Sequence, residues 1–72
     1  MSDNNLVKVS MNLPSDDLRA IDEIARRKHI TKTDVVRRGI SAERFIEQLR
    51  EENARLMVQR PDGSVERVVF PW

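Results

Sequence analysis

The chain has 72 residues, no cysteine, one histidine and a net charge of +1. That excludes a disulfide scaffold, argues against a protein-built zinc site and leaves no room for separate cofactor and substrate domains. A domain this short buries only about 60% of its unfolded surface, so a partner chain is the expected source of its stability.

In chain order, residues 1–5 are polar and acidic, without the basic-then-apolar pattern of a secretory signal, and are expected to be a flexible tail. No apolar run approaches the roughly 20 residues of a membrane-spanning helix, so a cytoplasmic chain with no membrane partner is expected. Residues 6–13 alternate, with Val7, Val9, Met11 and Leu13 on one face and Leu6, Lys8, Ser10 and Asn12 on the other. This two-residue period predicts a strand with one buried side. Pro14 ends it, and Ser15 before Asp16 and Asp17 reads as a helix cap followed by carboxylates in the positive first turn. The first helix is expected to reach about Lys28, with Leu18, Ile21, Ile24 and Ala25 as its apolar stripe.

His29 and Ile30 form the connection. Thr31-Lys32-Thr33-Asp34 has the form of a capping box, opening a second helix that could reach about Asn53 and would turn Val35, Val36, Gly39, Ile40, Ala42, Ile46 and Leu49 inward. Residues 56–60 and 65–70 flank Pro61-Asp62-Gly63, a strong hairpin signal because proline presets the turn and glycine takes positive φ. The order is strand, helix, helix, hairpin: an α+β chain, mostly helical. A lone strand has two unpaired edges. It must pair with its twin in a second chain, or join the hairpin in a three-stranded sheet.

The residues themselves carry a resemblance. Leu6-Val-Lys-Val-Ser-Met-Asn-Leu-Pro14, the helix Asp17-Leu-Arg-Ala-Ile-Asp-Glu-Ile-Ala25 and Ile30-Thr-Lys-Thr-Asp-Val-Val-Arg-Arg-Gly-Ile40 resemble the ribbon-helix-helix repressors of the MetJ and Arc type, without a gap over about residues 6–50. Two positions depart from that pattern: His29 stands where the family often has glycine, and Lys28 where an apolar residue is common. Left-handed backbone at a histidine carries some cost.

The resemblance implies an intermolecular two-stranded antiparallel ribbon that enters the major groove of double-stranded DNA. Lys8, Ser10 and Asn12 would then read base edges. Lysine donates to guanine O6 and N7, asparagine bridges adenine N6 and N7, and serine adapts to either. The plainer reading is that these three residues form the wet face of a surface strand. Val7, Val9, Met11, Leu13, Ile21, Val36 and Ile40 would make the shared core of a homodimer. The amides of Thr31, Lys32 and Thr33, with two hydroxyls and an ammonium, would hold a DNA phosphate at the positive helix end. Residues 26–38 support that placement, with six basic side chains against Asp34 alone. Such a run also suits a solvated helix face, on which some of Arg26, Arg27, Arg37 and Arg38 would pair with Asp22, Glu23 or Asp34.

The domain reading is a ribbon-helix-helix DNA-binding unit over residues 6–54 and a hairpin extension over 55–72. The hairpin arms are apolar on both faces, so they are expected to pack against the second helix or a neighbouring dimer, with Phe70 and Trp72 as anchors. They could reinforce the dimer, build a tetramer on tandem sites, or dock a protein through residues 56–72, such as the toxin that antitoxins of this family bind.

The expected function is a transcriptional repressor. An antitoxin or a plasmid partition or transfer regulator would share the same reading head. A different class also stays open: a protein-interaction module whose first strand pairs with the hairpin and which binds no DNA. Catalysis is not expected, because Ser10, His29 and Asp34 lack a nucleophile turn and the chain has no glycine-rich phosphate loop. No cofactor is implied.

Overall fold

The computed structural model describes residues 5–72. In chain order they form α1 (Ser15–Lys28), α2 (Lys32–Glu51), β1 (Met57–Gln59) and β2 (Val65–Arg67). The class is α+β, two helices and a two-stranded antiparallel sheet. The chain divides into two compact units, one ending at Val35 and the other spanning Val36–Trp72. Of the expected tail only Asn5 lies within the described residues.

In the first unit, residues 5–14 have no helix or strand. The alternation of residues 6–13 is present as sequence but makes no ladder within the chain, because a strand exists only against a partner strand. Among the described residues the sheet contains β1 and β2 alone.

Helix α1 starts one residue earlier than a Ser15 cap requires. Pro14 occupies the cap position at φ −57°, and Ser15 is the first helical residue. The Pro14 carbonyl accepts the amides of Asp17 at 3.0 Å and Leu18 at 3.2 Å. Proline suits this place because its φ is preset and a cap residue contributes its carbonyl, not its amide. Asp16 and Asp17 lie in the first turn and Arg26, Arg27 and Lys28 in the last, each sign at the end of the helix dipole that favours it.

Helix α1 ends in a left-handed cap. His29 sits at φ 55°, ψ 45°. The Ile30 amide donates to the Ala25 carbonyl at 3.0 Å and the His29 amide to the Arg26 carbonyl at 3.4 Å. These two bonds close the last turn in the Schellman pattern, usually built on glycine. Ala25 is the one buried hydrophobic residue among the described residues, while Ile21, Ile30 and Val35 are half-buried. Leu18 and Ile24, the rest of the expected stripe, stay exposed.

The capping box forms as the sequence predicts. Asp34 N–H donates to Thr31 Oγ1 at 3.0 Å, and Thr31 N–H donates to Asp34 Oδ2 at 3.3 Å. Aspartate reaches back as glutamate does in the usual box.

In the second unit, α2 stops at Glu51, two residues short of the expected end. Asn53 takes φ 54°, and the Ala54 amide donates to the Leu49 carbonyl at 2.8 Å while the Asn53 amide donates to Arg50 at 3.1 Å. This is a second left-handed closure, on the non-glycine type best suited to one. The hairpin pairs Met57 with Arg67, Val58 with Glu66 and Gln59 with Val65, shorter arms than expected. Single bonds from Val68 N–H to Leu56 O and from Arg60 N–H to Ser64 O, both 2.8 Å, extend the pairing at each end. At the tip, Gly63 N–H donates to the Arg60 carbonyl at 2.9 Å, and Gly63 takes φ 91°, where a side chain would be strained. Ile46 and Leu49 of α2 and Leu56, Val68 and Phe70 of the hairpin segment are all half-buried. Arg50 Nη2 donates to the Trp72 carbonyl, tying the last residues to α2.

Candidate functional site

The sequence points to two stretches, residues 8–12 and 31–33, both in the first unit. Lys8, Ser10 and Asn12 are exposed, and so are their neighbours Val7, Val9 and Met11. Val7 is 79% exposed, Val9 70% and Met11 63%, while Leu13, next to the helix, falls to 37%. Within one chain, burial therefore does not separate the two faces of this segment. The other residues expected in a shared core divide: Ile21 is half-buried, while Val36 and Ile40 are 38% and 53% exposed. Every one of these side chains except Ile21 keeps enough surface in water to gain from a partner. Complete burial contributes about 1.5–3 kcal/mol for a Val, Leu, Ile or Met side chain.

The start of α2 differs in two respects from the open anion site that the sequence implies. The Thr31 amide is committed to Asp34 Oδ2, so of the three amides only those of Lys32 and Thr33 have no hydrogen bond to another described group. The Asp34 carboxylate also places a negative charge in the first turn. The Lys32 ammonium lies 3.0 Å from Asp22 Oδ1 of α1, with both side chains mostly in solvent. Asp22 thus pairs with Lys32 and not with one of the nearby arginines. Thr31 Oγ1 accepts from Asp34 N–H and keeps its own hydrogen to donate. The terminus retains the means to hold a phosphate, with its cation held in an exposed ion pair that contributes no more than about 1 kcal/mol.

Sequence reasoning missed Asp22 as the counter-ion of Lys32. The separation of ten residues lies outside the three- and four-residue helical spacings that pattern reading uses. It also left Phe45 off every face, though this residue is 53% exposed and among the larger apolar groups of α2.

Comparison with known protein families, with characterised proteins and with solved structures returns no match. The likeness to ribbon-helix-helix repressors therefore stands on the residues quoted for it and on nothing further. No described helix is long and apolar enough to cross a membrane.

Proposed function

We propose that this chain is a homodimeric, sequence-specific DNA-binding regulator of the ribbon-helix-helix kind, acting in the cytoplasm as a repressor. In this reading residues 6–13 of two copies pair antiparallel. Val7, Val9, Met11 and Leu13 turn onto the helices, joining Ile21, Val36 and Ile40 in a core that neither copy builds alone. Lys8, Ser10 and Asn12 then face outward from each strand as a two-stranded ribbon in the major groove. At the flanks the Lys32 and Thr33 amides, the Thr31 hydroxyl and the Lys32 ammonium meet a backbone phosphate, fixing register without reading sequence.

One observation carries the proposal. An alternating segment exposes its whole apolar face, with one buried hydrophobic residue among the described residues, immediately before two helices joined by a left-handed turn. Such a segment is unsatisfied as a monomer and complete as half of a ribbon.

The two faces supply the test. Asn12→Ala should cost roughly 1–3 kcal/mol of discrimination at one base position in each half-site, with thermal unfolding unchanged. Met11→Ala should instead cost about 2–5 kcal/mol of stability, lowering DNA affinity only as far as the dimer is lost. Duplex selection from a random pool, followed by binding isotherms over a salt series, reads both. Binding that is insensitive to salt would refute a phosphate-anchored complex. If Asn12→Ala unfolds the protein while base preference survives, the ribbon faces the other way.

A further inference from the structure

The Val36–Trp72 unit contains a partly open pocket of about 290 Å³, bounded by the last turns of α2 and by the residues flanking the hairpin strands. Its charged side chains are arginine throughout, Arg50, Arg55 and Arg67, with no aspartate or glutamate among the lining residues. Arg50 is engaged, donating to the Trp72 carbonyl and standing 3.7 Å from Glu47. Arg55 and Arg67 enter none of the ion pairs among the described residues. The rest of the lining is apolar and includes Val68 and the ring pair Phe70 and Trp72, whose centroids lie 5.0 Å apart at 39°.

Two requirements define what fits. The arginine forks match a carboxylate, which they grip in a planar two-bond geometry that an ammonium cannot reproduce. The aromatic and aliphatic wall gains only from an apolar body. The volume stands at the lower limit of small-molecule sites. It holds on the order of ten non-hydrogen atoms, taking the ~30 Å³ share of a liquid water as the scale. That suits a compact organic acid better than a peptide strand.

We propose that this pocket binds a small amphipathic monocarboxylate, an aryl-alkyl or medium-chain acid. Arg55 and Arg67 take the carboxylate, and Phe70 and Trp72 border the apolar body. The site lies outside the DNA-reading residues, and the proposal stands whether or not the chain binds DNA.

Trp72 is the only tryptophan and there is no tyrosine, so intrinsic fluorescence of the full chain reports on the pocket wall. Octanoate and phenylpropionate should each shift the emission saturably, while acetate and octanol at the same concentrations should not. Arg55→Gln and Arg67→Gln should each weaken octanoate binding by about tenfold or more, as for a lost charge-assisted hydrogen bond. Far-UV circular dichroism verifies that each variant is folded. Arg67→Lys, which keeps the charge and loses the fork, should bind octanoate more weakly than the parent, and it replaces Arg67→Gln if that variant does not fold.

Equal responses to octanol and octanoate would reduce the pocket to an apolar sink and overturn the proposal. Saturation by acetate alone would reduce it to an anion patch. Failure of both acids, even where an acidic peptide binds, would overturn it as well. A DNA titration of the same preparation keeps this outcome separate from the DNA-binding reading.

Discussion

Replacing His29 by glycine should stabilise the protein, although His29 is exposed. The residue sits at φ 55°, ψ 45° as the left-handed closure of α1. There a β-carbon crowds the following carbonyl, at a cost of roughly 1–2 kcal/mol. Glycine removes that strain but widens the unfolded ensemble, returning about 0.5–1 kcal/mol of the gain. The net expectation is a stabilisation of about 0.5–1 kcal/mol. For a domain of this size that raises the melting temperature by roughly 2–8 °C, at the usual 4–8 °C per kcal/mol.

His29→Ala is the control, because alanine removes the imidazole and keeps the β-carbon. It should leave stability near the parent value, while His29→Val, branched at the β-carbon, should fall below both. Urea and thermal unfolding, followed by circular dichroism at one fixed protein concentration, measure the series. The concentration must be held because association stabilises any dimer by mass action. If glycine and alanine behave alike, the gain comes from deleting the imidazole and the strain argument fails. If glycine destabilises, residue 29 does not hold left-handed backbone in solution.

The hairpin tip should respond to acid. Hydrogen bonds from the Ser64 amide, at 2.9 Å, and then from the Ser64 hydroxyl, at 2.7 Å, hold the Asp62 carboxyl below its ordinary value of 3.8. A carboxyl with a depressed folded-state value stabilises above its unfolded value, and that contribution is lost as pH falls through the lower one. The Ser64 amide resonance should therefore titrate with a midpoint below 3.8, and Asp62→Asn should abolish that titration. A midpoint at or above the ordinary value would contradict the bonding. In the first unit, Asp22→Asn frees Lys32 from its 3.0 Å ion pair. It should raise affinity severalfold for all duplexes alike while changing stability by less than about 1 kcal/mol. An effect confined to one sequence would refute a phosphate role.

What was legible in the sequence is what short-range chemistry determines. The Thr31–Asp34 box, the left-handed demand on His29 and the Pro61-Asp62-Gly63 turn each depend on residues within about four positions of one another, and each is found in the structure. The misplaced helix cap has the same local origin. Ser15 and Pro14 both suit a helix start, and proline prevails because its carbonyl opens the hydrogen-bond ladder at no cost in donors. The pairing of Asp22 with Lys32 was not legible, since it depends on how the turn aims α2. The arginine lining of the second unit's pocket was equally hidden, because Arg50, Arg55 and Arg67 share no period and come together only through the closure at Asn53 and the return of the hairpin. The alternation of residues 6–13 is a different case. Its faces acquire meaning only against a second strand, because pairing register and not local chemistry assigns each side chain to a side.

The corner between the helices is determined from both sides, and this bears on how a ribbon could work. Ile30 closes α1 through its amide to Ala25, and the next residue, Thr31, opens α2 through its hydroxyl to Asp34. No flexible residue lies between the two motifs, and the Asp22–Lys32 pair spans the same corner. The aim of the α2 amides is thus set by bonds formed before any partner arrives. Residues 6–13 form no helix or strand within the chain, and in the proposed dimer their order comes from pairing. A dimer assembled this way would carry a preformed phosphate clamp beside a reading head that takes shape only on association. Affinity for phosphate would then belong to each chain, and discrimination between sequences to the pair. Lowering the protein concentration until dimers dissociate should therefore abolish sequence preference before it abolishes salt-dependent binding.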